Sequence, residues 1–401
     1  METIKCCAIG AGLATLTFHV PFILALPDLF TLHSVLERNP RTPTGTVCDR
    51  FNLKQVKLYT NLEQVLSDTE IELVLIGTPN DTHYALAKAT LEAGKHVLVD
   101  KPVTPTVKEA KELGELAKAK GKVLYAFQNR RWDQDYLALK KLLDLPETDP
   151  LSLGTVIEFE SHFDRYRLGL KGSWKDEPRP AAGLIYDLGS HLIDQTLALF
   201  GRPTSITAFA SNLRGVGHPD VDDNNYTVYS LRIYMHYPAG SALPYRFTAI
   251  LRAHPLSAQS PQLRFLVRGQ KGSYTKYGID VQEDQLKALV SSGVQGQTPQ
   301  SLITPVPVLP VAQSIPVYGF EQEERWGTLQ HASDPNGSAI VTSVWPSTEP
   351  GCYTDLYRNL AAAIREGGEM AVKWEEATAV IEMIELAKQS AREGRTVEVP
   401  R

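Results

Sequence analysis

A lysine followed by a proline, at the end of a short apolar run, is the first place in this 401-residue chain where chemistry could be done. In Val99-Asp100-Lys101-Pro102 the preceding residues His96–Val99 read as a strand. A lysine at the carboxyl end of a parallel strand points into the crevice where open α/β sheets take ligands. Its ammonium can donate to a hydroxyl or carbonyl oxygen and stabilise negative charge developing there. A surface lysine before a turn proline is the other reading. The second constellation runs from Gly183 to Asp194, where Asp187 and His191 stand four apart at a predicted helix start and share a face. A carboxylate beside an imidazole raises its basicity and fixes its orientation, giving a general acid/base with its orienting group. An aspartate that only caps the helix, with an interior histidine, has the same spacing.

Two further motifs could hold a cofactor. Gly10-Ala11-Gly12-Leu13-Ala14-Thr15 follows the apolar run Ile4–Ile9. Such a turn brings backbone N–H groups to a pyrophosphate at a helix N-terminus, and Thr15 stands where a third glycine is usual. Glu37 ends the next strand at the distance expected of a ribose-binding acid, which favours NAD over NADP. Arg38 beside it argues the other way, since a guanidinium could bind a 2′-phosphate. Thr78-Pro79-Asn80, with His83 beyond, sits at the end of another strand, where Asn80 or Asp81 could equally cap a helix.

The elements that must position these residues are readable as well. Strands are expected at Ile4–Ile9, Leu32–Leu36, Leu73–Ile76, His96–Val99 and Val123–Ala126, with helices at Asn61–Leu66, Tyr84–Ala93 and Val107–Lys120 between them. This is the alternation of βαβ units and a parallel sheet. After a helix at Trp132–Leu143 come longer, alternating strands: Thr155–His162, Ser205–Ser211, Tyr226–Tyr237, Tyr245–Arg252 and Leu263–Arg268. They imply a mostly antiparallel sheet with one wetter face, interrupted by a helix near Leu188–Phe200. The expected class is α/β: a doubly wound domain over 1–127, then an α+β domain over 128–401. Residues 291–350, rich in Ser, Pro, Gln and Gly, read as a long surface excursion, and helices Tyr353–Glu366 and Glu375–Glu393 close the chain.

Composition narrows the partners. A net charge of −5 spread without long runs argues against nucleic acid. No run has the roughly 18–20 apolar residues of a membrane span, and the N-terminus lacks the pattern of a signal peptide, so a cytoplasmic protein is expected. The four cysteines, Cys6, Cys7, Cys48 and Cys352, have no CxxC spacing and read as buried free thiols, with no metal site expected. The long strands with one partly apolar face, as in Tyr226–Met235, suggest a homodimer or homotetramer built through the second sheet.

Taken together the motifs resemble the glucose–fructose oxidoreductase / inositol dehydrogenase / MocA-like (Gfo/Idh/MocA) family over nearly the whole chain. The resemblance rests on Gly10–Pro21, Thr78-Pro79-Asn80 with His83, Asp100-Lys101-Pro102, Gln128–Asp133, Gly183–Asp194 and Tyr353–Ile364. It implies a Rossmann domain followed by an α/β domain with a large open sheet. It also implies hydride transfer between NAD or NADP and a carbinol carbon of a sugar, cyclitol or related polyol. The implied catalytic trio is Lys101, Asp187 and His191. The implied cofactor residues are Gly10, Gly12, Leu13, Ala14, Glu37, Arg38, Thr78, Pro79, Asn80, His83, Asp100, Lys101, Asn129 and Trp174. Tyr166 and Arg179 join the trio as implied substrate contacts, with Asp164, Arg167 and Lys175 as further candidates. Asp100 replaces the family's glutamate and is one methylene shorter. The alternatives are reduction of a non-sugar carbonyl or a dihydrodiol intermediate, or a dinucleotide-binding regulator without catalysis.

Overall fold

The computed structural model describes the chain apart from residues 1, 171–173, 178, 213–229, 240–245, 292–317, 335–336, 338, 350 and 401. It divides into two compact units, one of residues 1–133, 281–319 and 350–378, the other of residues 134–280, 320–349 and 379–401. The chain therefore returns to the first unit twice, which a single boundary at 127/128 leaves out.

In the first unit, strands β1 (Ile4–Ile9), β2 (Phe30–Leu36), β3 (Lys57–Tyr59), β4 (Leu73–Ile76), β5 (His96–Asp100) and β6 (Leu124–Phe127) form one sheet in the order β3-β2-β1-β4-β5-β6. All five pairings are parallel. The order reverses between β1 and β4, and ligands of such sheets bind beyond the carboxyl ends at that switch point. Cys6, Cys7 and Ala8 of β1, all of β4 and Val97–Val99 of β5 are buried, as in a sheet covered on both faces. The helices are α1 (Val20–Ala25), α2 (Thr46–Phe51), α3 (Leu62–Ser67), α4 (His83–Glu92) and α5 (Val107–Lys120). In α5, Thr106 and Glu109 form a reciprocal capping box, Gly121 ends the helix in the left-handed conformation, and Ala110, Leu113 and Ala117 bury one face. Helices α8 (Gln282–Ser291) and α9 (Tyr353–Glu366) follow later in the chain.

The second unit holds α6 (Gln134–Leu143), α7 (Ser190–Phe200) and a nine-stranded sheet. Its strands are β7 (Val156–His162), β8 (Ser205–Ser211), β9 (Ser230–Tyr237), β10 (Phe247–Ala253), β11 (Leu263–Gly269), β12 (Gly272–Tyr277), β13 (Gly327–Ala332), β14 (Ile340–Trp345) and β15 (Val397–Glu398), in the order β14-β13-β12-β11-β7-β10-β9-β8-β15. Only β7 and β10 pair in parallel. The helix α10 (Trp374–Glu393) precedes β15. Register makes the sheet's two faces explicit. Thr207, Tyr234, Ile250, Glu160, Leu266, Thr275, Thr328 and Val344 form one row across eight strands, and all are half-buried or exposed. The adjacent row, Ala208, Ile233, Leu251, Ser161 and Phe265, is buried throughout.

Residues 291–350 are not one surface excursion. Residues 292–317 lie outside the described residues, but Gly327–Ala332 and Ile340–Trp345 are strands that extend the sheet to its edge. Their mixture of Thr, Gln, Ser and Val lacks an apolar alternation because β14 is exposed on both faces from Ile340 to Val344. The expected strand from Tyr226 is described only from Ser230 onward. The four cysteines are free and buried. Among the described residues no helix is long and apolar enough to cross a membrane.

Candidate active site

The candidate region of the first unit is a set of loops at the carboxyl ends of β1, β2, β4 and β5. Gly10 has φ +104°, and a Cβ there would lie 2.8 Å from the Gly77 carbonyl oxygen, so the turn requires glycine. At Gly12 a Cβ would meet no atom within 4 Å. The backbone is thus open to close approach, as a pyrophosphate needs, while Leu13 is 53% exposed beside it. Thr15, in place of a third glycine, is accommodated from the other side. A Cβ on Gly77 would sit 2.6 Å from Thr15 Oγ1, so the missing side chain has moved to the facing strand end. The helix then opens as a five-residue π turn, Thr15–His19, before α1. The glycine turn therefore fits a dinucleotide despite its departure from the usual pattern.

Several side chains expected at the cofactor are committed to the protein instead. Glu37 is 5% exposed, and its two carboxylate oxygens accept from Thr46 N and Val47 N at 2.9 Å each. It caps α2, whose N-terminal N–H groups favour an anion. Arg38 next to it is exposed. His83 is wholly buried, with Nδ1 2.8 Å from the Pro102 carbonyl and Nε2 3.0 Å from the Thr78 carbonyl. It ties the loop after β4 to the loop after β5. Asn80 and Asn129 are buried too, at 8% and 4% exposure. Thr78 shares a 2.6 Å hydrogen bond with Thr82, whose hydroxyl donates to Pro79 O. Asp100 Oδ1 accepts from the backbone N of Lys101 at 2.7 Å, and Lys101 itself is half-buried.

The segment Gln128–Asp133 is scaffold. Arg130 donates to Asp133 and Tyr353 and pairs with Glu283, while Arg131 pairs with Glu376 at 2.7 Å. These bonds fasten the end of β6 to α8, α9 and the start of α10. The His33, Asp68 and Glu70 cluster is an ion-pair network: Asp68 Oδ2 takes His33, Tyr59 and Lys57, and Glu70 takes Lys5.

The candidate region of the second unit is the start of α7. Gly183 has φ +89°, Asp187 N donates to its carbonyl at 2.9 Å, and Ile185–Gly189 form a π turn that runs into α7. Single π turns inserted ahead of α-helices are frequent at functional sites. His191 is 5% exposed, with the Phe163 ring edge-on at 6.1 Å between centroids. Asp187 is more open, at 20% side-chain exposure, and Lys175 Nζ donates to its Oδ1 at 2.9 Å. The same ammonium lies 5.7 Å from the Trp174 ring centroid. Arg179 pairs with Glu177 at 2.8 Å, Tyr166 is 61% exposed, and Asp164 is buried between His162 and Arg252. Lys101 thus belongs to the first unit, and Asp187, His191 and Lys175 to the second.

Sequence reasoning passed over two side chains of the first unit. His19 is fully buried with Nδ1 2.8 Å from Tyr357 Oη, and Tyr357 in turn donates to Phe18 O at 2.6 Å. Both residues fall in stretches that carry the family resemblance, but their spacing of more than three hundred positions gives no local signal.

Comparison with known proteins agrees with this architecture. Residues 4–128 match the family model described as the NAD-binding Rossmann fold of the Gfo/Idh/MocA oxidoreductases, and 151–399 match its C-terminal alpha/beta domain. An uncharacterised oxidoreductase of Schizosaccharomyces pombe, C115.03, is 37% identical over the full length of both chains. The scyllo-inositol 2-dehydrogenase (NADP(+)) IolW of Bacillus subtilis is 32% identical, the match covering 99% of this chain and 96% of that one. Among solved structures, yvaA of Bacillus subtilis superposes with a TM-score of 0.81 at 31% identity, covering 100% of this chain and 99% of the other. With both domains matched in order and whole-length relatives above 30% identity, the chain belongs to the Gfo/Idh/MocA family of NAD(P)-dependent oxidoreductases.

Proposed function

We propose that the protein is an NADP-dependent dehydrogenase or reductase of cyclitols and related polyols, with Lys101, Asp187 and His191 as its working side chains. The observation that carries this is the head of α7, where a half-exposed carboxylate held by Lys175 stands four residues before a buried histidine. The turn at Gly10 and Gly12 would hold the dinucleotide, whose nicotinamide would supply or accept the hydride of the reacting carbon. His191 exchanges the proton of the reacting oxygen, and Lys101 donates a hydrogen bond to the same oxygen, stabilising charge as it develops. Asp187 orients its neighbour His191 and balances its charge. The preference for NADP reverses the expectation drawn from Glu37 in the sequence. Both oxygens of that carboxylate already accept from α2, which ties it to the protein, while the exposed Arg38 is suited to a 2′-phosphate. The activity for which IolW is named, on scyllo-inositol with NADP(+), supports the same choice. The test is turnover of an inositol, sugar and dihydrodiol panel with each cofactor. Turnover of cyclitols with NADP(+) is expected, a clear NAD preference overturns the cofactor reading, and no turnover with any substrate returns the regulatory alternative.

The same reading extends to assembly. The outer row of the nine-stranded sheet carries Tyr234, Ile250, Leu266 and Val344, with Phe209 59% exposed nearby, and a single sheet layer leaves such a face to be covered by a second copy. Sedimentation as a dimer or tetramer is expected, and a monomer at micromolar concentration overturns it.

A further inference from the structure

We propose that His19 is a positioning residue for the Asp100–Lys101 segment: its ring, fixed at one nitrogen by Tyr357, meets the Asp100 carboxylate with the other and thereby sets the direction of the lysine that follows. The proposal rests on the reading of Lys101 as a group acting on the substrate oxygen. It begins with the hydrogen-bond inventory. The Phe18 carbonyl only accepts, so the single proton of the Tyr357 hydroxyl is spent on it, at 2.6 Å. Tyr357 Oη therefore accepts from His19, whose Nδ1 at 2.8 Å must carry a proton. That leaves Nε2 buried, without a hydrogen-bond partner among the described residues, and 3.9 Å from Asp100 Oδ2.

Asp100 has its other oxygen on the Lys101 backbone N–H. One carboxylate thus joins a wholly buried imidazole to the first atom of the candidate catalytic lysine. Burial favours the neutral ring, and the Asp100 charge works against it. The Nε2 edge of the ring, 3.9 Å from Oδ2, bounds the space in which the Asp100 carboxylate can lie. The ring cannot evade the contact. Phe127 stands edge-on at 4.8 Å between centroids, and a Cβ on Gly77 would lie 3.0 Å from its Cδ2. The other titratable groups facing it are Tyr357 from α9 and His83 from α4, the latter already held between two carbonyls.

The experiment separates the two ring nitrogens. Glutamine carries an amide nitrogen near the place of Nε2, whereas asparagine reaches only that of Nδ1. His19→Asn, His19→Gln and Tyr357→Phe are compared in three ways: oxidation of scyllo-inositol with NADP(+), NADPH binding by fluorescence, and Lys101 labelling by an amine-directed reagent followed by peptide mass spectrometry. His19→Asn is expected to lower kcat roughly 10- to 100-fold, the usual scale for a misplaced catalytic group, with KM and NADPH binding within about twofold. Lys101 labelling changes several-fold while Lys88 and Lys120 label as before. His19→Gln recovers most of both losses. Unchanged kcat and labelling in His19→Asn overturn the proposal, and so does equal damage in the Gln variant, which would make the ring a matter of bulk. Should His19→Asn fail to fold, Tyr357→Phe, which releases Nδ1, is read by the same criteria. If Lys101→Ala turns over like the wild type, the reading of Lys101 fails while the labelling result still judges His19.

Discussion

Two helices of this molecule begin in the same unusual way and use it for opposite ends. Thr15–His19 and Ile185–Gly189 are both five-residue π turns that continue into α-helices, and both follow a glycine with positive φ, Gly10 and Gly183. In the first, the backbone is the part offered to a ligand. The side chains of Thr15, Thr17 and His19 are turned into the core, where they hold the turn from beneath. In the second, the parts proposed to act are the side chains of Asp187, which keeps 20% of its surface and a lysine partner, and of the buried His191. A site that binds through N–H groups gains from burying every side chain around it. A site that works through side chains must keep their charges balanced, as Lys175 does for Asp187.

That contrast predicts its largest effect in the second region and at Lys101. Lys101→Ala and His191→Ala are each expected to lower kcat and kcat/KM together by about 10²–10⁴, with dinucleotide binding near normal. The double variant should be little worse than the poorer single, since groups acting on one oxygen work as a unit. Steady-state kinetics beside cofactor titration checks this. Loss of cofactor binding in His191→Ala would erase the division between a backbone half and a side-chain half.

The two units also carry opposite responses to pH. His96 in β5 accepts from Val123 N through Nδ1, a bond only the unprotonated nitrogen makes, and burial pulls its pKa down to about 4. Its contribution is present above its unfolded value near 6.5 and is lost as pH falls toward 4. In the second unit, burial is the main cause raising Glu321 to about 7 beside the fully buried Lys276. A carboxyl raised in the folded state binds a proton that the unfolded chain has released, so its contribution is lost as pH rises from about 4.5 to 7. Each is worth up to roughly 3 kcal/mol. Hydrogen exchange should show protection of His96–Asp100 falling on acidification while that of Gly272–Tyr277 rises. Parallel changes in both strands would refute the assignment.

A smaller effect tests the first π turn. Gly77→Ala places a methyl 2.6 Å from Thr15 Oγ1 and 3.0 Å from His19 Cδ2. Overpacking of this kind costs about 1–3 kcal/mol, and NADPH affinity should fall with it because the turn shifts. Adding Thr15→Ala removes the oxygen and should return a large part of both. If the double variant melts no higher than Gly77→Ala alone, Gly77 is not the counterpart of the missing third glycine.

How far the sequence could foresee this follows from where each signal lies. β1, β4 and α5 are legible to the residue, because buried parallel strands are uniformly apolar and α5 has both caps in its own sequence. β3, α2 and β13–β14 were not expected. The first two have three and six residues, too few for a period, and β14 has no buried face from Ile340 to Val344 to enforce one. At the site, the glycines and the Asp187/His191 spacing are local patterns. The use of Glu37 as an α2 cap depends on a loop folding back nine residues later, and His19–Tyr357 on opposite ends of the first unit. Polar residues reveal their type in a sequence, but their partner only in the fold.

The smallest effect is expected from Lys175, and it decides how the second region balances its charge. The Lys175–Asp187 contact is a single 2.9 Å bond between side chains 35% and 20% exposed. Solvent screens such a pair to about 0.2–1 kcal/mol, so Lys175→Met should reduce kcat/KM by roughly one-and-a-half- to fivefold. Loss of the cation makes the Asp187 carboxylate harder to ionise, and the acid limb of the pH–rate profile should move to higher pH. Lys175→Arg, which keeps the charge, should restore both the rate and the limb. A fall of a hundredfold or more would instead put the Lys175 ammonium on the reacting oxygen. The second unit would then hold its own cationic donor, and Lys101 would be left to the cofactor.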